Sequence, residues 1–143
     1  MAYIATYVMT QLTSVKAGFN KPFNPLLHET YTKEIAPGVH FVAEQVSHHP
    51  PITAWHCHSD DFTIWSQFET GNRFTGKALC FYQKHPTFVI LHRNETPRRV
   101  YVVKTPILSA HNLIIGQPYL DIGECAYVTS VDAEHQYEYK IQF

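Results

Sequence analysis

Charged residues are scarce in this chain of 143 residues: Asp, Glu, Lys and Arg make up 16% of it, and the formal net charge is −1. Soluble domains average roughly 25% charged residues. A chain this close to neutral offers no general electrostatic attraction for nucleic acid, so no nucleic-acid partner is predicted. Any anion must therefore be recognised by a local cluster of side chains.

The chain also lacks a long apolar run, a signal-like N-terminus and paired cysteines. No stretch approaches the roughly 18 apolar residues that a spanning helix needs, and the N-terminus has no basic region followed by a long apolar one. Cys57, Cys80 and Cys125 form no C-x-x-C pair, which argues against a zinc knuckle or a redox motif. Three unpaired thiols suit a reducing compartment, so we predict the cytosol or the cytosolic face of a membrane.

What the chain does contain is 45% hydrophobic residues, arranged as one helical pattern followed by many strand patterns. In residues 3–15, Tyr3, Ile4, Tyr7, Val8, Leu12 and Val15 recur at a helical period. We predict a helix over 1–16, a loop over 17–26 and antiparallel strands over 27–143. The predicted fold class is therefore all-β with one N-terminal helix, built as an antiparallel meander that forms part of a sandwich or a barrel.

The predicted strands are separated by turn signals such as Ala36-Pro37-Gly38, Ser59-Asp60-Asp61 and Gly71-Asn72. They cover 27–33, 39–47, 52–58, 62–68, 73–83, 87–92, 99–104, 112–115, 119–129 and 137–143. In the strand over 39–47 both alternating faces carry apolar residues, which predicts burial on both sides. The helix begins without an N-cap and the last residues read as a strand, so we expect the chain to be a partial domain.

An unusual octapeptide, Glu44-Gln45-Val46-Ser47-His48-His49-Pro50-Pro51, interrupts these strands. Neighbouring side chains on a regular strand point to opposite faces, so His48 and His49 can converge on one ligand only where the strand breaks. Pro50-Pro51 supplies that break. Two imidazoles beside a phosphate can donate hydrogen bonds to it, whereas the plainer interpretation is two polar residues at a strand end.

A second segment, Lys21-Pro22-Phe23-Asn24-Pro25, has two prolines that exclude a regular helix or a central strand. A stiff loop with a lysine, an amide and free backbone N–H groups can hold an anion. The plainer interpretation is a connection between the helix and the first strand.

Two kinds of enzyme site are alternatives to these anion-binding hypotheses. His56 and His58 are two residues apart on one strand face, and a metal would need a third ligand, for example His48 or His40. A hydrolase is less favoured, because Ser47 beside His48 lacks a G-x-S-x-G elbow. We therefore predict no catalytic residues, no metal and no cofactor.

The octapeptide resembles the signature of the oxysterol-binding protein family of lipid-transfer proteins at every position. Lys21-Pro22-Phe23-Asn24-Pro25-Leu26-Leu27-His28-Glu29-Thr30 is similar to the K-P-F-N-P-L-L-G-E-T block of that family, and Pro106, 111–116 and 119–123 are similar to a later region. The resemblance implies part of an oxysterol-binding-type β-barrel that carries one lipid at a time, a sterol or phosphatidylinositol 4-phosphate, with no covalent chemistry.

Carried over by position, the resemblance assigns the lipid headgroup to Lys21, Pro22, Phe23, Asn24, His48 and His49, with Gln11 at the mouth of the tunnel. It implies a lipid ligand and a peripheral place on membranes such as the endoplasmic reticulum or Golgi. The apolar edge of the last predicted strand separately predicts a partner for the exposed sheet edge. Three departures matter. His28 stands where the family usually has Gly, no lid precedes Met1, and the later basic headgroup contacts of the family would lie beyond Phe143. The alternative is accordingly a truncated remnant that associates with membranes or partners without transferring lipid.

Overall fold

The computed structural model describes residues 2–13, 23–92, 99–123, 125–131 and 136–142, and within them the chain is mostly antiparallel sheet with one short helix. This confirms the predicted fold class. The helix α1 spans Ala2–Thr13. The strands are β1 Thr30–Ala36, β2 Val39–Ser47, β3 Ile52–His58, β4 Phe62–Phe74, β5 Ala78–Gln83, β6 Thr87–Leu91, β7 Val100–Lys104, β8 Leu108–His111, β9 Tyr119–Ile122, β10 Cys125–Val131 and β11 Gln136–Gln142.

The sheet branches at β4. Its first four residues, Phe62 to Trp65, pair with β6, and the path continues through β7, β10 and β11. Its last part, from Thr70 to Phe74, pairs instead with β5, which leads to β8 and β9. Among the described strands, β1, β9 and β11 each pair with a single neighbour, so the sheet is not closed.

The core lies where α1 packs against one face of the sheet, which we call the helix-side face. Ile4 and Val8, four residues apart on α1, are 3% and 1% exposed. They contact a cluster from β6, β7 and β10 made of Val89, Tyr101, Val103, Ala126 and Val128. Tyr3, predicted to join the apolar stripe, is instead 87% exposed. In the described part of the chain no helix is long and apolar enough to span a bilayer.

Strand β2 buries one face, and the prediction of burial on both sides is wrong. Phe41, Ala43 and Gln45 lie on the helix-side face and are half-buried or buried, while Val42 and Val46 on the other face are 38% and 41% exposed. The apolar residues on the outer face misled the prediction, because exposed valines are ordinary on a protein surface.

Several predicted strand boundaries also differ from the structure. The turn expected at Gly71-Asn72 does not form, since β4 continues to Phe74 and the turn falls at 75–77. The strand expected over 112–115 is a loop, and the one expected over 119–129 is two strands, β9 and β10. Gly123 separates them: its N–H donates to the Ile107 carbonyl at 2.6 Å, and an added Cβ would lie 2.8 Å from that oxygen.

Replacing Ile4 with Ala tests the packing of the helix on the sheet. We expect the free energy of unfolding to fall by about 2–5 kcal/mol, because truncating a buried Ile removes apolar contacts and leaves a cavity. The measurement is a urea unfolding curve. Met9→Ala, at a position that is 47% exposed on the same helix, is the matched control and should change little. Equal losses in the two variants would mean that α1 is not anchored through Ile4.

Candidate functional site

The turn between β2 and β3 presents the two adjacent histidines of the octapeptide. β2 ends at Ser47 and β3 begins at Ile52, so His48 to Pro51 form the connection, with a cis peptide bond between His49 and Pro50. The two imidazole rings have centroids 4.5 Å apart and planes inclined by 58°. Both side chains are exposed. Breaking the strand therefore brings both rings to one place in the solvent, where both can reach a single ligand.

Gln45 holds the strand end that carries this turn. Its side chain is almost fully buried, donates from Nε2 to the Ser47 carbonyl at 2.8 Å and accepts from the Thr53 hydroxyl at 2.6 Å. The register between β2 and β3 shifts between Gln45 and Ser47, so the amide spans an irregularity in the strand. Sequence reasoning named the histidines and missed this positioning residue. The sequence does contain a signal for it. Gln45 is an amide within the octapeptide, and the alternation of side chains along the strand puts it on the same face as Phe41, where burial is expected.

The second motif segment lies directly beside this strand. The backbone N–H of His28 donates to the Gln45 carbonyl at 2.8 Å, and the Gln45 N–H donates to the Glu29 carbonyl at 3.0 Å. From Thr30 onward the pairing continues as β1 against β2. The two motif segments are thus joined backbone to backbone beside the turn that carries His48 and His49, which we call the histidine turn.

Of the residues predicted for the headgroup loop, Phe23 and Asn24 are described, and Lys21 and Pro22 lie outside the described residues. Phe23 is 86% exposed and Asn24 is exposed. Glu29 anchors the C-terminal part of this loop, because its Oε2 accepts from the Leu26 N–H at 2.7 Å. Gln11 lies on α1, and its side chain is outside the described part of the chain.

His28, the departure from the family block, adopts a backbone φ of 66°. This is the left-handed region that glycine occupies without a Cβ penalty, which explains why a Gly suits the position. The His28 side chain is largely exposed, and its Nδ1 lies 3.2 Å from Glu44 Oε1. The histidine therefore keeps the turn and adds a polar contact between the two motif segments.

An apolar cavity of about 440 Å³ lies between α1 and the helix-side face of β1 to β4. None of its lining residues is charged. They are Tyr7, Ile35, Phe41, Trp55, Cys57, Phe62 and Ile64. Burial raises the pKa of the Cys57 thiol, so this cysteine behaves as a small apolar side chain in the wall. The cavity can take an uncharged, hydrocarbon-like group.

A polar cluster lies where the sheet branches. Glu69 is 8% exposed and pairs with Lys84 Nζ and with His85 Nε2, the latter at 2.9 Å. Hydrogen bonds from Lys84 and then His85 hold the pKa of the Glu69 carboxyl below its usual value, and the hydrogen bond to Glu69 raises the pKa of Lys84. Sequence reasoning missed this cluster, because its members are distant in sequence and form no motif.

The geometry gives little support to the alternative hypothesis of a metal site. His56 and His58 do share a strand face, with ring centroids 5.3 Å apart, and His40 lies opposite His58 at the same separation. Among the described residues, however, no group of three or more His, Cys, Asp or Glu side chains is arranged to hold a metal ion.

Replacing Gln45 with Leu tests its positioning role. We expect the free energy of unfolding to fall by about 1–3 kcal/mol, because the Ser47 carbonyl and the Thr53 hydroxyl lose a buried partner. Gln67→Leu, at an exposed position of β4, is the control and should stay within about 0.5 kcal/mol of the parent. Urea unfolding measures both, and indistinguishable curves for the two variants would remove Gln45 from its assigned role.

Replacing His28 with Gly or with Val separates backbone strain from the contact with Glu44. Both variants lose the imidazole, but Gly tolerates a positive φ whereas a β-branched side chain does not. We expect His28→Val to be less stable than His28→Gly by about 1–2 kcal/mol in thermal or urea unfolding. If the two variants have the same free energy of unfolding, the left-handed conformation at this position does not constrain the choice of residue.

Comparison with known proteins gives one consistent family. The family model described as oxysterol-binding protein matches residues 1–143. Oxysterol-binding protein-related protein 3 from Mus musculus is 44% identical over 124 residues, which cover 85% of this chain and 14% of that protein. The chain spans 10% to 21% of the length of three curated relatives that it matches.

Solved structures agree with the sequence comparison. The Osh1 ORD domain, crystallised in complex with cholesterol, is 25% identical with a TM-score of 0.78, over 90% of this chain and 31% of that chain. The fold also matches that of the Osh3 ORD from Saccharomyces cerevisiae in complex with PI(4)P, at 22% identity and a TM-score of 0.80, over 90% of this chain and 35% of that chain. The chain, matched along its whole length by the family model, belongs to the oxysterol-binding protein family.

Proposed function

We propose that the chain binds one lipid at a time, a sterol or phosphatidylinositol 4-phosphate, and moves it between membranes without covalent chemistry. The observation that carries this proposal is the uncharged cavity of about 440 Å³ between α1 and the helix-side face. Its volume falls within the roughly 300–1,000 Å³ of small-molecule pockets, and an apolar lining selects for hydrocarbon.

The distance between the cavity and the histidine turn suits an elongated lipid. Ala43 lies opposite Trp55 of the cavity wall, and His48 follows five residues later along the chain. At about 3.4 Å per residue this is roughly 17 Å. One leaflet of a bilayer has a hydrocarbon thickness of about 15 Å. A lipid with its headgroup at the turn can therefore extend its acyl chains along the helix-side face to the cavity.

The headgroup part of the proposal uses the two motif segments. His48 and His49 converge in solvent, and their ring N–H groups can donate hydrogen bonds to a phosphate, whose negative charge strengthens such bonds. The backbone pairing at Gln45 brings the end of the neighbouring loop close to this turn. We assign Lys21, Pro22, Phe23 and Asn24 to the rest of the headgroup and Gln11 to the mouth of the tunnel, on the resemblance of these positions to the family.

The proposal that the chain binds a sterol rests on its similarity to a solved structure. The Osh1 ORD domain was crystallised with cholesterol, and it shares 25% identity over 90% of this chain. A sterol is mostly rigid hydrocarbon with one hydroxyl, so it needs an apolar cavity and has little use for a histidine pair. We propose a peripheral place on cytosolic membrane surfaces, such as those of the endoplasmic reticulum or Golgi.

Replacing His48 and His49 together with Ala separates the two ligands. We expect phosphatidylinositol 4-phosphate binding to weaken at least about tenfold, because two hydrogen bonds to a charged group are lost. Sterol uptake should be unchanged. The measurements are titration with a short-chain soluble phosphatidylinositol 4-phosphate and with a fluorescent sterol.

The matched control is His56→Ala/His58→Ala, which removes two neighbouring imidazoles from β3 and should leave both ligands bound. Equal loss of both ligands in the His48/His49 variant, with the circular dichroism spectrum intact, contradicts the assignment. Transfer is then followed between donor and acceptor vesicles. A chain that binds lipid but does not accelerate transfer corresponds to the non-transferring alternative.

A further inference from the structure

Two turns at one end of the sheet form a surface that neither the cavity nor the histidine pair uses. The β4–β5 turn covers 75–77 and the β8–β9 loop covers 112–118. Ala78 pairs with His111, so the two connections are neighbours. We call these two connections, together with the adjoining strand ends that carry Arg73, Phe74 and Tyr119, the tip.

The β8–β9 loop exposes three consecutive large aliphatic side chains. Leu113, Ile114 and Ile115 are 53%, 89% and 84% exposed. Isolated exposed apolar residues are common, but a contiguous group of this kind marks an interaction site. The chain carries no Asp, Glu, Lys or Arg from Thr105 to Leu120, so no charge in that stretch keeps the loop in water.

The loop holds these side chains away from the protein by its own geometry. Asn112 and Gly116 have positive φ values of 56° and 97°, and Asn112 Nδ2 donates to the Gln117 carbonyl at 3.3 Å. At the base of the loop the rings of His111 and Tyr119 stack, with centroids 4.9 Å apart and planes inclined by 7°. A pre-shaped loop loses little conformational freedom when it binds.

The neighbouring β4–β5 turn and the strand segments that flank it carry positively charged residues and no acidic residue. From Thr70 to Gln83 the only charged residues are Arg73 and Lys77, both exposed. Within the described part of the chain neither forms an ion pair. Phe74, between them, is 62% exposed. The nearest acid on β9 is Asp121, which lies below the base of the loop, opposite Ser109.

We propose that the tip docks on an anionic bilayer, with Ile114 and Ile115 inserted among the lipids and Arg73 and Lys77 on the headgroups. Interfacial binding requires apolar side chains that reach the acyl boundary, together with cations that face anionic lipid. Tyr119, which is 53% exposed at the base of the loop, is an amphipathic ring of the kind that collects at membrane interfaces. A protein partner of mixed charge would instead require both signs at the rim.

The histidine turn lies at the same end of the sheet. Ser47 is aligned with Ile52 and Ile52 with Glu69, and β4 continues from there to Phe74. Five further residues at about 3.4 Å each put the tip roughly 17 Å beyond the level of Ile52. The inference deepens the proposed function, because it makes this end of the sheet the one that meets the membrane.

The test is co-sedimentation with vesicles of phosphatidylcholine, with and without phosphatidylserine, that contain neither sterol nor phosphoinositide. Ile114→Ser/Ile115→Ser should lower partition onto both vesicle types about tenfold or more. Val131→Ser is the control and should leave partition unchanged. Val131 is 54% exposed and lies at the end of β10 that is farther from the tip.

Charge is tested separately. Arg73→Gln and Lys77→Gln should each lower partition about fivefold on phosphatidylserine vesicles and leave phosphatidylcholine partition unchanged. Lys33→Gln on β1 is the matched control and should have no effect.

Two results overturn the proposal. One is equal partition of the Ile114/Ile115 variant and the Val131 control. The other is a change in self-association, seen by analytical ultracentrifugation, with vesicle partition intact, which would make the tip a contact between copies. These vesicles contain neither proposed ligand, so the two proposals can fail separately. If the parent chain partitions onto the vesicles but does not bind sterol or phosphatidylinositol 4-phosphate, only the proposed function is wrong. If the tip variants lose partition onto vesicles but still bind the soluble ligand, the proposed function stands and membrane docking by the tip is supported.

Discussion

The buried amide of Gln45 is the constraint on which the candidate site depends. A buried amide is costly unless its donor and acceptor are paired, and here the side chain bonds to the Ser47 carbonyl and the Thr53 hydroxyl. Its backbone N–H and carbonyl bond to Glu29 and His28. One residue therefore joins the end of β2, the start of β3 and the neighbouring motif segment. The histidine turn is positioned by this residue although neither ring is itself held by the protein core.

How far the sequence predicts the structure depends on whether the determining interaction is local. The break at Pro50-Pro51 is local, because proline removes a backbone donor and fixes φ, and it was correctly predicted. The course of β4 is not local. Gly71-Asn72 has the composition of a turn, but Gly71 is buried opposite Tyr82 of β5, whose ring occupies the space that a Cβ would need. A cross-strand aromatic therefore converts a turn signal into strand.

The same distinction applies within the site. The convergence of His48 and His49 followed from adjacent residues at a strand break, so sequence could propose it. The bond between Gln45 and Thr53 and the Glu69 cluster each depend on which residues of two strands face each other, and a shift of one residue in that register would separate the partners. His28 lies between these cases: the resemblance marked it as unusual, and its positive φ gives the physical reason that glycine suits the position.

The branching of β4 explains why polar groups are buried in the middle of this sheet. β4 stays paired with β3 through Glu69, but on its other edge, where β6 gives way to β5, regular pairing lapses between Trp65 and Thr70. Side chains then provide the missing partners. The Ser66 hydroxyl donates to the Pro86 carbonyl at 3.1 Å and accepts from Gln83 at 3.0 Å, and Glu69 binds Lys84 and His85.

The branch also separates two surfaces along one strand. Below it, β4 contributes Phe62 and Ile64 to the apolar cavity. Above it, the same strand continues past the level of the histidine turn to Arg73 and Phe74 at the tip. A continuous strand transmits position rigidly, so the distance between cavity, turn and tip is set by residue count rather than by loop conformation. If the tip rests on a bilayer, the histidine turn is held back from the surface by the length of β4 beyond Glu69, on the path proposed for a lipid between the membrane and the cavity.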